Sequence, residues 1–520
     1  MIHDVWDELV ALATLGTERR GFAPPTTAGA LGAALAQLPA GDPPVALLGA
    51  AALVAQARRA GAVPAMHLAP ALPPAAPDER PVIGSAATAQ LRTLLDRHHR
   101  LLPEWLAMLA RSGRRLPDLL LPALLQYGEN HAELREPIQA AIGPRGHWLA
   151  AQNPLWEYAC GLAGDQFVDL TGWETAPRAT RHILLTRLRT QRPDEARALI
   201  AAALPHERAE ERAALLTLIA HGLSADDEPL LEVALADRSS TVQRTAAGLL
   251  TQLPQSALVA RMAMRAQALL SWVPPGSTRL LGMLAGRPAQ LVAELPVAGD
   301  AALVRDGVDP LPAHRHGYGE RAWRLMQILA AVPPTTWSDA WHTTPAAIIA
   351  AAARSEWHAP LLEGFAAATQ RHRDAQWAAA LLSHAPDYAG LLELLAVPHQ
   401  ETLLLTLLRG NCTPLHEHPV LELLRHTRHT WSTALAEAAL RAVYQHLRTT
   451  RDHRDYGLRA ALIDEFALRL PPAFAQQIAA DWPRELHVRE RWQTPIDQLL
   501  TMLQLRQEML AALATPPVRP

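Results

Sequence analysis

The chain has 520 residues, of which 49% are hydrophobic and 19% charged, and its formal net charge is −3. That balance excludes a disordered polymer and argues against a surface built chiefly to hold phosphates. All 48 basic residues are arginines, so a Walker A lysine, a lysine Schiff base and a lysine general base are excluded.

In chain order, Trp6–Leu15 reads as a helix with Trp6, Leu9, Val10 and Ala13 on one face. Gly16-Thr17 stops it, and Ala28–Leu38 and Val45–Arg59 follow as Ala-rich helices. Residues 1–60 form an N-terminal helical segment on this reading. Residues 61–84 carry Pro64, Pro70, Pro73, Pro74, Pro77 and Pro81, a density that forbids helix and predicts a linker or an extended crossing.

Helices resume at Ser85 and continue through Leu116–Leu125. Gly143-Pro144-Arg145-Gly146-His147-Trp148-Leu149 leads into Asn153-Pro154-Leu155-Trp156, which predicts a rigid turn packed by aromatics, with Arg145 as a possible anion contact. Asp226-Asp227-Glu228-Pro229 has the acidic residues and early proline of a helix start. Leu230, Leu231, Ala234 and Leu235 then share one face. Asp237-Arg238-Ser239-Ser240 breaks that helix, and Val242, Ala246, Leu249, Leu250 and Leu253 mark the next amphipathic stripe. Another helix is expected over Ser256–Leu270.

The unit of helix, tight turn and helix predicts stacked helical repeats over residues 85–295. Residues 296–319 read as an irregular loop, and residues 320–520 as further helical repeats. No run of alternating β-branched and aromatic residues supports a sheet. The expected class is therefore all-α, an α-solenoid of antiparallel helix pairs with Pro-rich crossings.

Asp237, Val242, Ala246 and Ala247 resemble a HEAT repeat, with Gln243 where that pattern has arginine and Arg244 one place late. The whole chain is also similar to a bacterial helical-repeat family encoded beside MoxR-type AAA+ ATPases and von Willebrand factor A-domain proteins. The residues carrying that resemblance are Trp6–Val10, Leu15–Thr17, Gly143–Leu149, Asn153-Pro154, Asp226–Met262, Arg321–Trp337 and Leu503–Met509. It implies a partner system rather than a chemistry: a scaffold or adaptor binding an AAA+ ATPase and a von Willebrand A-domain protein.

Candidate chemistry is thin. Cys412, His416, His418, His426 and His429 are the most ligand-like cluster, since Cys and His bind zinc. Their spacing matches no standard zinc pattern and no CxxC or HExxH occurs, so surface histidines are the preferred account and no metal is expected. His314-x-His316 is weaker still. No nucleophile elbow appears, and Asp226-Asp227 and Glu210-Glu211 read as capping or solvated acids. No catalytic residue and no cofactor are expected.

Two arginine-rich stretches could meet a partner's acids or, alternatively, a nucleic-acid backbone. One holds Arg178, Arg181, Arg187, Arg189, Arg192 and Arg197, and the other Arg448, Arg451, Arg454 and Arg459. A solvated face paired with Asp194, Glu195, Asp452 and Asp455 is the plainer account. Two cysteines are too few for a disulfide framework. Met1-Ile2-His3-Asp4 lacks a signal-peptide n-region, and the apolar run Val45–Ala57 is too short to span a bilayer. A cytoplasmic protein without a membrane segment is expected.

Overall fold

The computed structural model describes residues 2–514 apart from 19–20, 28, 40, 61–71, 73, 161–172, 174–177, 277–287, 298–300, 312–318, 411, 413, 450–454 and 483–485. Helix makes up 72% of the structure, and the one sheet among the described residues has two short strands, so the class is all-α. Among those residues no helix is long and apolar enough to cross a membrane.

The chain divides into two compact units, Met1–Pro74 and Ala75–Pro520. In the first, helices Ile2–Leu15, Ala30–Leu35 and Pro43–Ala60 enclose a small core of Leu9, Leu12, Leu35, Leu47, Ala50 and Val54. Leu12 rather than Val10 completes the inner face of the first helix; Val10 is 48% exposed.

The second unit begins with an extended crossing. Ile83 donates to the Arg115 carbonyl and the Arg115 amide donates to the Pro81 carbonyl, so this proline-rich strip is tied down by backbone bonds that proline itself need not donate. Helices Ser85–Asp96, Leu102–Arg111, Leu121–Asn130 and Arg135–Ala150 then gather around Trp105, Leu106, Leu124 and Ile138.

The Gly143–Leu149 stretch is a kinked helix, not a turn. Gly143 adopts φ 65° within Arg135–Ala150, and Pro144 restarts the helix beyond it. A left-handed residue breaks the first segment, and proline suits the first turn of the second. A side chain at Gly143 would also strike the Asp78–Arg80 pair, so only glycine fits.

From residue 178 onward one continuous core runs from Leu185 to Leu503 through successive helices. Leu231, Ala234 and Leu235, then Val242, Ala246, Leu249 and Leu250, all lie inside, as their spacing requires. Helix Ala257–Leu269 stops one residue short of the expected Leu270 and passes into a strand. Leu270–Val273 pairs antiparallel with Gln290–Ala293, Leu270 opposite Ala293, which the sequence reading did not anticipate. Each strand is only four residues long, and neither Leu270-Ser271-Trp272-Val273 nor Gln290-Leu291-Val292-Ala293 alternates strictly, so no strand pattern shows.

Aromatic contacts hold this ribbon to the helices. Trp272 stacks on Trp341 at 5.7 Å, Trp341 meets Trp337 at 5.0 Å, and Trp337, Phe365 and Trp377 continue the row at 6.3 and 5.3 Å. Those separations lie in the favourable range for ring pairs. The stretch expected as an irregular loop contains a short helix, Ala301–Arg305, followed by the buried Asp306. His314 and His316 lie outside the described residues.

The last helix, Leu486–Ala514, runs through Pro495. Its Ile496, Leu499 and Leu503 belong to the main core, whereas Met509 and Leu513 join the core of residues 83–159. The C-terminal helix thus closes on the first helices of the same unit.

Candidate functional site

Arginine–carboxylate pairs between neighbouring helices dominate the polar interior. Arg189 and Asp227 have fully buried side chains and form a two-pronged pair, Nη1 to Oδ1 at 3.0 Å and Nη2 to Oδ2 at 2.9 Å. Arg189 also donates to the carbonyls of Ile219, His221 and Gly222. These bonds saturate the guanidinium at the end of helix Ala209–Leu218. Arg189 is therefore a structural strut, and the expectation of a surface contact there is corrected. A buried guanidinium is tolerated only when paired and fully hydrogen-bonded.

Asp227 is more than a helix-start acid. Its carboxylate accepts from Arg189, from Arg197 at 2.8 Å and from the Ser224 amide at 3.0 Å. Burial opposes its ionisation, but the Arg189 and Arg197 bonds outweigh that and hold its pKa below the ordinary aspartate value. Asp306 repeats the pattern with Arg261, Arg265 and Arg305 at 3.2, 2.7 and 3.0 Å, and its pKa is lowered against the same opposing burial. Arg212 clasps Asp237 at 2.6 and 2.8 Å. Glu211 is also buried, taking His182 at 2.8 Å, so neither it nor Asp227 is a solvated acid.

The remaining arginine candidates are placed as follows. Arg181 pairs with Glu207 at 2.7 Å and Arg192 with Glu195 at 2.7 Å. Arg178 is 57% exposed, 3.7 Å from Glu211. Arg187 and Arg448 are exposed. Arg451 and Arg454 lie outside the described residues.

Arg145 sits on the rim of a cavity of about 130 Å³ with Arg115, Asp78 and Asp118. Asp118 lies between the two guanidiniums, 3.2 Å from Arg115 and 3.0 Å from Arg145. An anion entering here would compete with Asp118 for both.

The histidine cluster is not assembled as its spacing suggested. The Cys412 thiol donates to the Leu407 carbonyl at 3.3 Å, and burial raises its pKa. His418 caps helix Pro419–His426 by accepting the Val420 amide. His426 bonds the Glu422 carbonyl, and His429 bonds Glu401 at 3.1 Å. Each side chain is committed locally, and each points to a different partner.

His416 alone enters a convergent group, with His446 and Asp455. Their ligand-capable atoms all lie within 4.8 Å of one another. Three elements supply them: the turn Leu415–Glu417, the helix Thr433–Thr449, and the residue preceding helix Tyr456–Ala461. His446 Nε2 is 3.1 Å from Asp455 Oδ1, and His416 Nδ1 is 3.6 Å from the same oxygen. His446 Nδ1 accepts the Leu415 amide at 3.3 Å, which assigns the proton to Nε2. Burial lowers the His446 pKa against the pull of Asp455, so the ring is neutral at neutral pH.

The fold and these sites define a mostly helical protein braced by buried arginine–carboxylate pairs. Residues 8–513 match the family described as "Family of unknown function (DUF5691)", and the chain belongs to that family. No curated protein and no solved structure matches it.

Proposed function

We propose that the chain is a non-enzymatic scaffold, a HEAT-like α-solenoid that holds protein partners on its helix faces. The partners on this reading are a MoxR-type AAA+ ATPase and a von Willebrand A-domain protein, and the setting is the cytoplasm. The observation that carries the reading is the core that continues from Leu185 to Leu503 through successive helices. Arg189–Asp227, Arg212–Asp237 and Arg261–Asp306 brace that core between neighbouring helices. Stacked helices fixed in this way present outward side chains at set spacings, which is how helical repeats bind proteins.

Nucleic-acid binding is the weaker reading, because Arg181, Arg189, Arg192 and Arg197 already hold carboxylates. Affinity capture from native lysate, with and without nuclease, separates the two. Nuclease-resistant recovery of an AAA+ ATPase is expected. Recovery of nucleic-acid proteins alone, lost on nuclease treatment, overturns the scaffold reading.

A further inference from the structure

We propose that His416, His446 and Asp455 form a binding site for a divalent transition-metal ion, with zinc as the first ion to try. The site is independent of the scaffold reading. Two imidazoles and one carboxylate are a donor set that borderline-soft ions accept, whereas magnesium and calcium take oxygen ligands.

Distances agree with that chemistry. Zinc–ligand bonds of about 2.0–2.1 Å in a tetrahedron place neighbouring ligand atoms about 3.3 Å apart. The two edges that meet at Asp455 Oδ1 measure 3.1 and 3.6 Å. The third edge, between His416 and His446, is no longer than 4.8 Å and closes toward about 3.3 Å when both rings turn onto one ion. Three protein ligands leave the fourth position of a tetrahedral ion to water, as in zinc sites that are not purely structural.

His416 supplies the second, independent observation. Its side chain is only 7% exposed, yet neither ring nitrogen has a hydrogen-bond partner among the described residues. Buried polar groups are normally satisfied; His416 comes no closer than 3.6 Å to Asp455 through Nδ1 and to the exposed Glu417 through Nε2, and an ion beside Asp455 and His446 would explain the ring. A hydrogen-bonded His446–Asp455 pair accounts for those two residues but gives His416 no hydrogen bond among the described residues. Metal capture at His446 Nε2 moves that proton to Nδ1, at the expense of the long Leu415 amide contact. That tautomer shift involves no oxidation.

The test uses the full-length protein with zinc and cobalt as probes. Protein from zinc-supplemented medium is measured by mass spectrometry for metal content, then stripped with chelator and titrated with cobalt(II) under visible absorption. About one zinc per chain, tetrahedral cobalt bands and a lower Tm after stripping are expected of the wild type. His416→Leu keeps a buried apolar volume and breaks no hydrogen bond among the described residues, and circular dichroism checks that it folds. It is expected to bind cobalt at least about tenfold more weakly and to show no Tm change with chelator. Asp455→Asn, which can still accept from His446, is expected to lose metal likewise. Absence of zinc and cobalt uptake by the wild type, or uptake undiminished in both variants, overturns the assignment.

Discussion

Arg506 and Glu104, 402 positions apart in sequence, meet in a two-pronged ion pair, Nε to Oε2 at 2.7 Å and Nη2 to Oε1 at 2.9 Å. The same guanidinium donates to the carbonyls of Ala467 and Leu470 at 3.0 and 2.6 Å. One side chain therefore joins helix Leu102–Arg111, the turn after Ala467–Arg469 and the C-terminal helix.

Arg506→Met removes every one of those bonds while keeping most of the volume. The Arg506 side chain is 1% exposed and Glu104 is 29% exposed, so the acid can recover some hydration. The expected loss is about 2–4 kcal/mol of unfolding free energy. Glu104→Gln keeps an acceptor and is expected to cost less. A denaturant double-mutant cycle measures the coupling, and additive effects of the two changes would show that the pair does not join the helices.

Much of this architecture was legible in the sequence, and the misses share one physical cause. The stripes of residues 230–253 follow from helical spacing, because an apolar face must be buried whatever lies opposite. Arg189, His446 and Arg506 were missed as interior groups, although each continues an apolar stripe: Leu185, Leu188 and Arg189; Val443, His446 and Leu447; Leu499, Leu503 and Arg506. A polar residue at a core position was the available signal. Its partner, Asp227, Asp455 or Glu104, is fixed by tertiary packing and leaves no local pattern. The Cys412–His429 cluster failed for the converse reason. Closeness in sequence did not bring the side chains together: Cys412 and His426 take carbonyl bonds, His418 a capping bond and His429 the Glu401 carboxylate, while His416 faces His446 and Asp455.

Three arginine-paired aspartates set an acid limit on stability. Asp227, Asp237 and Asp306 each have a pKa lowered below 3.8 in the folded state. Groups depressed on folding contribute fully above their unfolded pKa and lose that contribution as pH falls through the folded one. Unfolding free energy is therefore expected to hold at neutral pH and to drop steeply below about pH 4. Asp227→Asn leaves Arg189 buried beside a neutral group and is expected to cost about 3–5 kcal/mol at neutral pH. Its acid loss should be shallower than the wild type's. Urea unfolding from pH 3 to pH 7 tests both, and parallel pH profiles would remove Asp227 from the acid response.

Gly364 marks the closest approach of helices Glu320–Ala330 and His358–His372. A Cβ there would lie 2.8 Å from Leu329 Cβ and 3.0 Å from the Met326 carbonyl oxygen. A backbone carbonyl and a Cβ fixed to the backbone cannot step aside as a flexible side-chain end can. Gly364→Ala is expected to force the helices apart and cost about 1–3 kcal/mol, despite alanine's higher helix propensity. Gly248 is the control, because a Cβ there meets nothing within 4 Å. Gly248→Ala should stabilise by about 0.5–1 kcal/mol. Thermal unfolding of the two variants checks the sign, and a stabilised Gly364→Ala would refute the close packing.

Gln243 occupies the place where the HEAT pattern has arginine, and the structure explains why it can. Asp237 already accepts from Arg212 through both oxygens and from the Ser239 amide at 2.8 Å. Gln243 instead donates to the Asp237 carbonyl at 2.6 Å, bracing the turn from the other side. An arginine at 243 would find the carboxylate filled and would give up that bond. Gln243→Arg is therefore expected to change stability by less than about 1 kcal/mol. Arg212→Gln removes a guanidinium with an 8% exposed side chain from a 17% exposed acid, and should cost about 2–4 kcal/mol. Chemical denaturation of both variants decides the point. A gain from Gln243→Arg larger than the loss from Arg212→Gln would place the helix-to-helix brace at residue 243 rather than at 212.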